Sequence, residues 1–410
     1  MDTTGITEPP EVVRARPALG AMYVACGASA FGTQMTLLAL PWLILATTGS
    51  ATWTGLVFAV QVLPMAVLGF AGGEVIQRFG ARRTMLVADA ARAPLIALVP
   101  VLSSMDMLGL PALMVIVAAV GVLGVPYFAA QRVLAGELAG ADPKALTRAN
   151  SVLEGCFNAA SFAGPAVAGL LIWLMGAQNV LWFDAGSFAV SCLLLWRFVP
   201  RGAGDAPPAK ARTSVLAGVR ALLADDFMRP VMVSTVTFGF LLRILGIALP
   251  LLAFDRFGGN AGVGGLLVAG FGAGALLGSL ISYLVANRFS PAKLMALSAV
   301  QLVLPLWTLL TPAPAGVLVV ALAVSAAALP LSNAPFFSIL ATRFPGEVRA
   351  KVIQSVITIS NIAGPLGFLA GGVAMDRLGL ATTLLILAAL SSLAAVNLVV
   401  AVRRTDKEGA

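Results

Sequence analysis

The feature that most constrains this chain is a series of long apolar stretches, each separated from the next by a short polar break. A helix that crosses the hydrocarbon core of a bilayer needs about 20 predominantly apolar residues, and about twelve stretches reach that length. The chain is 59% hydrophobic and 11% charged, which is too little polar surface to cover a soluble protein. We therefore predict an all-α membrane protein with twelve transmembrane helices. The predicted spans are residues 18–46, 53–76, 85–104, 109–133, 148–174, 179–199, 230–253, 262–286, 293–311, 315–340, 351–374 and 380–402.

The positive charges indicate how these spans are oriented. Most of the 26 Lys and Arg residues lie on alternate breaks between spans. Short loops rich in Lys and Arg stay on the cytoplasmic side of a membrane. We therefore expect a multi-pass protein of the cell membrane with both termini in the cytoplasm. This distribution accounts for the net charge of +8 without a nucleic-acid partner.

The chain also repeats itself. The segment "RANSVLEGCFNAASFAGPAVAG" (148–169) returns as "RAKVIQSVITISNIAGPLGFLAG" (349–371), about 200 residues later. Two six-span halves in parallel orientation indicate a duplicated transporter with its binding cavity where the halves meet. The predicted units are an N-terminal tail (1–17), a six-helix bundle (18–199), a linker with an amphipathic helix (200–229), a second six-helix bundle (230–402) and a C-terminal tail (403–410).

Several local patterns point to a family. They are "GGEVIQRFGARR" (72–83), "YFAAQRVLAGEL" (127–138), "FDAGSFAVS" (183–191) and "VLAGVRALLADDFMRP" (215–230). Over essentially its full length the chain resembles the major facilitator superfamily, most closely the twelve-helix branch of bacterial drug, macrolide and siderophore exporters. The resemblance implies two pseudo-symmetric six-helix bundles that expose a central cavity to each side of the membrane in turn.

The first of these patterns resembles the family signature between helices 2 and 3, Gly-x-x-x-Asp-Arg-x-Gly-Arg-Arg/Lys. In the family this loop closes the inner gate when the cavity faces outward. This chain departs from the signature where Gln77 stands in place of the aspartate and Ala81 in place of an arginine. The matching residues are Gly73, Arg78, Gly80 and Arg82.

The substitution at Gln77 leaves two alternatives. Glu74 or Asp89 supplies the missing carboxylate, or the closed state of the loop is simply weaker and Glu74 extends to the membrane interface. A second segment, "GGVAMDRLG" (371–379), fits the signature better but lies on the outer side by the charge distribution. We therefore interpret Asp376 and Arg377 as ordinary loop residues.

Gly-Pro segments occur at matching positions in the fifth and eleventh spans, around Pro165 and Pro365. Small residues allow helices to approach closely, and a proline removes a backbone hydrogen bond and permits a bend. Their occurrence in both halves favours a gating role, although ordinary Gly/Ala packing is the alternative.

Ionisable residues inside the spans are costly and usually functional. Glu154 is the first candidate for a proton-binding group, because we expect it to be buried near apolar walls. Asp89 and Arg92 share one face of the third span and are further candidates for coupling or gating. Arg243 either pairs with an acid or contacts an anionic substrate, and Asp184 is expected to be structural.

In the family, helices 1, 4, 7 and 10 line the cavity. Aromatic and Met side chains with few hydrogen-bonding groups suit bulky amphipathic ligands, although about half of any such set is expected to face lipid or packed helices. The candidate substrate-binding residues are Gln34, Met35, Tyr127, Phe238, Phe240, Arg243, Asn333 and Phe336.

These features together predict secondary active export of a lipophilic or amphipathic small molecule, such as a drug, an antibiotic-like compound or a siderophore. Proton antiport is the expected coupling, although Thr33 and Gln77 replace two acids that relatives carry. The alternatives are an importer or metabolite symporter of the same fold and, in a different class, a membrane enzyme or receptor. The chain has no histidine and no nucleotide-binding loop, so we expect no cofactor, no metal and no enzymatic activity. The expected partners are the substrate, the bilayer and protons, and the expected state is a monomer.

Overall fold

A computed structural model describes residues 10–68, 71–140, 142–201, 215–285, 288–344 and 346–408. Within these ranges the chain is helical almost throughout. Its helices are α1 (Pro10–Thr48), α2 (Ala51–Leu68), α3 (Ala71–Phe79), α4 (Ala81–Ser104), α5 (Leu110–Ala139), α6 (Pro143–Met175), α7 (Ala177–Phe198), α8 (Val215–Ala224), α9 (Met228–Arg256), α10 (Ala261–Val285), α11 (Pro291–Val303), α12 (Ala315–Arg343), α13 (Gly346–Leu378) and α14 (Leu380–Glu408).

Twelve of the helical segments are long and apolar enough to cross a membrane, which confirms the predicted fold class. Among the described helices, α3 and α8 are too short and belong to no span, and α11 is long enough only together with the segment that follows it. The ninth span consists of α11 and a 3₁₀ segment, Leu304–Leu310, that continues it. The change of helix type occurs beside Pro305, which has no amide hydrogen to donate to the α-helical pattern.

The polar breaks end one helix and start the next by ordinary capping. The Asp142 side chain accepts hydrogen bonds from the backbone amides of Lys144 and Ala145 at the start of α6. Between α3 and α4, Gly80 has a φ of 79°, a conformation that glycine adopts without the steric cost of a Cβ. The loop signature therefore includes one glycine, Gly80, that the local backbone requires.

The spans form two groups of six, an N-terminal bundle (α1, α2 and α4–α7) and a C-terminal bundle (α9–α14), which meet mainly along α2–α13 and α6–α10. Because twelve crossings are an even number, both termini lie on the same side of the membrane. We call that side the terminal face and the opposite side the far face.

The connector between the bundles contains the predicted amphipathic helix, which the structure places at Val215–Ala224 as α8. Leu222 is fully buried, and Gly218 lies against the backbone of Lys351 at the start of the eleventh span. α1 begins at Pro10, within the predicted N-terminal tail, and α14 ends at Glu408, within the predicted C-terminal tail. The exact limits of the five predicted units remain predictions, and residues 202–214 lie outside the described ranges.

An ion pair fixes the end of α8. The Asp225 carboxylate accepts a hydrogen bond from Nε of Arg343 at 2.6 Å and from the backbone amides of Phe227 and Met228. Partial burial alone would raise the pKa of Asp225, but these hydrogen bonds outweigh it and hold the pKa below its usual value. The connector is thereby attached to the terminal-face end of α12.

Candidate functional site: a cavity between the two bundles

Buried apolar side chains form one shared core in the far-face half of the protein and two separate cores in the terminal half. The shared core takes side chains from both bundles, among them Trp42, Phe58 and Phe368. In the terminal half, the core around Met85 belongs to the N-terminal bundle and the core around Met295 to the C-terminal bundle. The bundles are therefore joined in the far-face half, and we infer that the space between them in the terminal half is a cavity that opens at the terminal face.

Aromatic pairs close the far-face half. The ring centroids of Phe58 on α2 and Phe368 on α13 are 5.2 Å apart. Trp42 on α1 meets Phe254 on α9 edge to face, with centroids 5.6 Å apart. Both pairs join one bundle to the other, so they form the roof that closes the cavity from the far face.

A seam of small residues closes the same half along α6 and α10. A Cβ atom at Gly169 would lie 2.7 Å from the carbonyl oxygen of Ala261 and 3.0 Å from Cα of Gly265. A Cβ at Gly272 would lie 2.6 Å from the carbonyl oxygen of Ser161. The two helices approach this closely only because these positions carry no side chain.

The predicted gating prolines lie in or near these contacts. Pro165 is buried in α6, and its carbonyl oxygen lies 2.6 Å from where a Cβ of Gly265 would be. Pro365 is buried in α13. Both helices are continuous through the proline, so gating by these residues stays a prediction.

A carboxylate from the C-terminal bundle caps a helix of the N-terminal bundle at the far face. Asp376 Oδ1 accepts a hydrogen bond from the amide of Ala51 at 2.8 Å, and Oδ2 accepts from the amide of Thr52 at 2.9 Å and the Ser50 hydroxyl at 2.6 Å. Our interpretation of Asp376 as an ordinary loop residue was wrong. It lies in the last turn of α13 and stabilises the start of α2.

On the N-terminal bundle, a pocket of about 100 Å³ lies in the cavity wall. It takes residues from α1, α4, α5 and α6, with aromatic rings and a few hydrogen-bonding groups. Two of the predicted binding residues, Gln34 and Tyr127, are among its lining. The other lining residues are Cys26, Ser29, Ala30, Thr33, Leu37, Arg92, Phe128, Gln131, Leu153, Cys156 and Phe157.

A buried ion pair stands behind this pocket. Asp89 and Arg92 are 2.5 Å apart and almost fully buried, and the Ser191 hydroxyl donates to Asp89 at 2.6 Å. The Arg92 guanidinium lies between the rings of Tyr127 and Phe188, 4.1 and 4.4 Å from their centroids. In this conformation Asp89 pairs with Arg92, and compensation by Asp89 for the missing loop aspartate stays a prediction.

Among the three arginines of the signature segment, Arg78, Arg82 and Arg83, only Arg82 is buried. Arg82 donates from Nε to the carbonyl of Val199 at 2.8 Å and from Nη2 to that of Trp196 at 3.0 Å. It thus satisfies free carbonyl groups at the end of α7, where a cation is also favoured by the helix dipole. Glu74, Gln77 and Arg78 are exposed on α3, so the two alternatives for compensation at Gln77 are not decided.

The predicted proton-binding residue is in a different environment from the one we expected. Glu154 is 55% exposed and pairs with Arg132 at 2.8 Å, so the expected burial among apolar walls was wrong. One turn farther from the terminal face, Phe157 and Phe128 line the pocket, which places the ion pair at its terminal-face edge. The pairing links α5 to α6 across the mouth of the pocket.

The predicted binding residues lie in different environments. Met35 and Phe336 lie inside apolar cores rather than on the cavity wall, because sequence alone does not fix the rotation of a helix. The Gln34 side chain donates to the hydroxyl of Ser161. The others are half-buried or exposed: Phe238 and Phe240 pack at the edges of the cores, and Arg243 and Asn333 are exposed.

Sequence reasoning missed several pocket residues. Phe128 and Phe157 line the pocket, and each is 44–47% exposed. A signal was present for Phe128, which follows the nominated Tyr127 on a helix expected to line the cavity. Phe157 had no such signal, because it lies on the fifth span.

The comparisons with known proteins agree with this architecture. The family model described as "transmembrane secretion effector", a family of the major facilitator superfamily, matches residues 15–409. The multidrug efflux pump Tap of Mycolicibacterium fortuitum is 29% identical over 381 residues, which is 90% of this chain and 92% of Tap. Tap of Mycobacterium tuberculosis H37Rv is 26% identical over 370 residues, 88% of this chain and 87% of that protein.

Solved structures show the same fold at lower identity. The nucleoside transporter NupG is 14% identical, with a TM-score of 0.77 over 94% of this chain and 98% of its own. A bacterial homologue of the lysosomal transporter Spinster, in an inward-facing and unoccupied conformation, is 14% identical, with a TM-score of 0.72 over 97% and 98% of the two chains. With the family model matched over nearly the whole chain, this protein belongs to the transmembrane secretion effector family of the major facilitator superfamily.

Proposed function

We propose that this protein exports a lipophilic or amphipathic small molecule, such as a drug, an antibiotic-like compound or a siderophore, by alternating access. Its membership of the major facilitator superfamily makes it a secondary transporter of small molecules in a membrane and not an enzyme. Export is supported by the relatedness to the Tap proteins, which are named multidrug efflux pumps.

The observation that carries the proposal is the uneven joining of the two bundles. A shared core closes the far-face half, whereas the terminal-half cores are separate. The far-face closure consists of two aromatic pairs, a glycine seam and one carboxylate cap, all of which a rocking motion can separate without unfolding either bundle. In the opposite state, we propose, the far face opens and the terminal face closes.

We propose that the terminal face is cytoplasmic. The breaks that lie on this face carry most of the Lys and Arg residues of the chain, and such loops stay inside. The conformation described here is then inward-facing, with the cavity accessible to substrate from the cytoplasm. A single chain supplies both bundles and the whole cavity, which supports a monomer as the functional unit.

The proposed alternation between two states also gives a role to the loop residue Gln77. A gate-closing role for the loop applies to the outward-facing state, whereas Gln77 is exposed in the state described here. We expect Gln77→Asp to favour the outward-facing state. An unchanged conformational equilibrium in this variant would support local compensation by Glu74 or Asp89.

We propose that the substrate is amphipathic because of the lining of the pocket. Phe128, Phe157 and Leu37 present apolar surface, and Thr33 and Gln131 supply a small number of hydrogen-bonding groups. A few polar groups in a largely apolar concave wall fix a ligand's orientation without demanding one exact shape.

We propose that export is coupled to proton antiport. Two paired carboxylates border the pocket, Glu154 with Arg132 at its edge and Asp89 with Arg92 behind it. Protonation of either acid would free its arginine, which is a way to couple a proton to substrate release. Glu154→Gln and Asp89→Asn separate the two candidates.

The test is transport by purified protein in liposomes with an imposed pH gradient, using a panel of fluorescent dyes and antibiotics. Net movement of the compound in the direction opposite to proton flow supports antiport. Net movement in the same direction as proton flow supports the alternative of an importer or symporter. The variant of the coupling acid should still exchange substrate at equal concentrations but lose accumulation driven by pH. If no compound of the panel moves under any gradient, drug export is excluded as the function for this panel's chemistry.

A further inference from the structure

Arg243 is a charged residue that the sequence places at the middle of a membrane span. It is the sixteenth residue of α9, which runs over 29 residues from Met228 to Arg256, so it lies about 22 Å from the start of the helix at a rise of about 1.5 Å per residue. An ionised side chain at this depth faces either a partner or water, because the hydrocarbon core does not solvate it.

The structure places this side chain beside the roof of the cavity. Its guanidinium carbon lies 5.7 Å from the ring centroid of Phe368, and its stem passes close to Gly367 on α13. Phe368 is the ring that contacts Phe58 of the N-terminal bundle. Arg243 is nonetheless exposed. An exposed cation at mid-span, next to the seam between the bundles, faces the cavity.

No described carboxylate neutralises Arg243. In the C-terminal bundle, Asp255 and Asp376 lie at the far-face end of their helices, and Glu347 lies at the start of α13, the opposite end. Near mid-span in the N-terminal bundle, Asp89 is paired with Arg92 and Asp184 accepts hydrogen bonds from Thr36 and Ser187.

Of the three arginines described at the cavity, Arg92, Arg132 and Arg243, only Arg243 has no carboxylate partner among the described residues. Arg92 is neutralised by Asp89 and Arg132 by Glu154, whereas Arg243 forms no ion pair among the described residues. A low-dielectric cleft that contains an uncompensated charge concentrates counter-ions of the opposite sign. The guanidinium group also matches a carboxylate geometrically, with two parallel N–H donors for its two oxygens.

We propose that Arg243 binds an anionic group, in the first instance a carboxylate, on the transported molecule. This inference rests on the proposed export function and narrows its substrate class to amphipathic acids. The aromatic and aliphatic wall across the cavity takes the apolar body of the molecule, and Arg243 holds its acidic end at the roof. Cations of similar size bind more weakly, because the same charge repels them.

The experiment compares two dyes that share a xanthene core and differ in charge: fluorescein, an anion with a carboxylate, and rhodamine 123, a cation. Binding to the purified protein in nanodiscs is measured by fluorescence anisotropy. The wild-type protein should bind fluorescein more tightly than rhodamine 123. Arg243→Gln should weaken fluorescein binding about 10- to 100-fold, the effect of losing charged hydrogen bonds, and leave rhodamine 123 binding equal or stronger.

Two variants control for structure. Arg243→Lys retains the positive charge but not the two parallel N–H donors, so it should bind fluorescein nearly as tightly as the wild-type protein does. Arg256→Gln removes a cation at the far-face end of the same helix, where Arg256 donates to the carbonyl of Thr311, and should change neither dye. Equal weakening of both dyes by Arg243→Gln, or failure of Arg243→Lys to restore binding, would overturn the inference.

Flux in liposomes separates this inference from the export function. Transport of rhodamine 123 without binding of fluorescein would refute the anion site and leave export standing. Fluorescein binding that depends on Arg243, without movement of either dye, would support the site and count against export of these compounds. No binding of fluorescein by the wild-type protein refutes the inference directly.

Discussion

Replacement of Asp376 should open the far face. This carboxylate accepts three hydrogen bonds from the start of α2, from the amides of Ala51 and Thr52 and the hydroxyl of Ser50. It lies in the last turn of its own helix, where the helix dipole disfavours a negative charge. Its position is therefore unfavourable for α13 and favourable only while α2 of the other bundle is in contact.

The size of the effect follows from these contacts. Loss of an N-cap costs about 0.5–2 kcal/mol, and the interaction of a carboxylate with a helix N-terminus contributes about 0.3–1 kcal/mol. Because Asp376 is exposed, we take the lower part of the combined range, about 1–2 kcal/mol. Asp376→Ala should thus shift the equilibrium toward the outward-facing state about 5- to 30-fold. Asp376→Asn, which loses the charge and keeps an acceptor, should shift it about 2- to 5-fold.

Spin labels at the far face report this equilibrium. Met107 and Asn260 are exposed in far-face loops of opposite bundles, so the distance between labels there grows when the far face opens. The labels require a background without the native Cys26, Cys156 and Cys192, which are free thiols. Pulsed electron paramagnetic resonance in nanodiscs then gives the populations of the short and long distances.

The matched control is Arg377→Ala, which alters the adjacent residue in the same last turn of α13. We expect its distance distribution to equal that of the wild-type protein. A distribution that Asp376→Ala leaves unchanged, or that Arg377→Ala shifts equally, would show that the three hydrogen bonds do not hold the far face closed.

Three other predictions concern the seam, the signature loop and the connector. Gly169→Val should prevent the close approach of α6 to α10 and raise the outward-facing population in the same distance measurement, whereas Gly155→Val, on the same helix with no atom within 4 Å of its Cβ position, should not. Arg82→Ala should lower the unfolding free energy by about 1–3 kcal/mol, because one buried and one partly buried carbonyl group lose a charged donor. Arg83→Ala at an exposed neighbour should have little effect in a thermal unfolding assay, and equal effects would contradict the capping role. The pKa of Asp225 is lowered in the folded protein, so its contribution to stability is complete above its unfolded pKa of about 3.9 and is lost as the pH falls through the folded value. Proteolysis of the connector should therefore increase below about pH 4. The Asp225→Asn variant should show the increased proteolysis rate already at neutral pH.

The membrane architecture can be predicted from the sequence because each span satisfies its own backbone hydrogen bonds and is recognisable as a stretch of about 20 apolar residues. The same reasoning identified Arg243 as an unusual mid-span charge, because this inference needs only the position of a residue along a helix, which the spacing of polar breaks determines well. The resemblance to the superfamily came instead from local sequence patterns such as residues 72–83 and 183–191.

The site was less predictable because it depends on rotation and on contacts between helices. Met35 and Gln34 are neighbours in sequence, but one lies in the shared core and the other in the pocket wall. Asp376 was misjudged because its partners precede it by more than 300 residues. Glu154 was misjudged because its neutralising partner Arg132 comes from the preceding helix, which the composition of the fifth span does not reveal.

The proposed role of Arg243 has a consequence for how the membrane potential acts on transport. A bound anion neutralises Arg243, whereas the positive charge of Arg243 is uncompensated in the empty cavity. The return of the empty transporter from the outward- to the inward-facing state then moves that charge toward the negative interior, and each 100 mV favours this step by up to about 2.3 kcal/mol. The loaded step is electrically silent if no proton moves in that step. If Arg243 binds the anion as proposed, an exporter of acids built in this way uses the membrane potential to reset the empty carrier, and this driving force does not require the two acids that Thr33 and Gln77 replace.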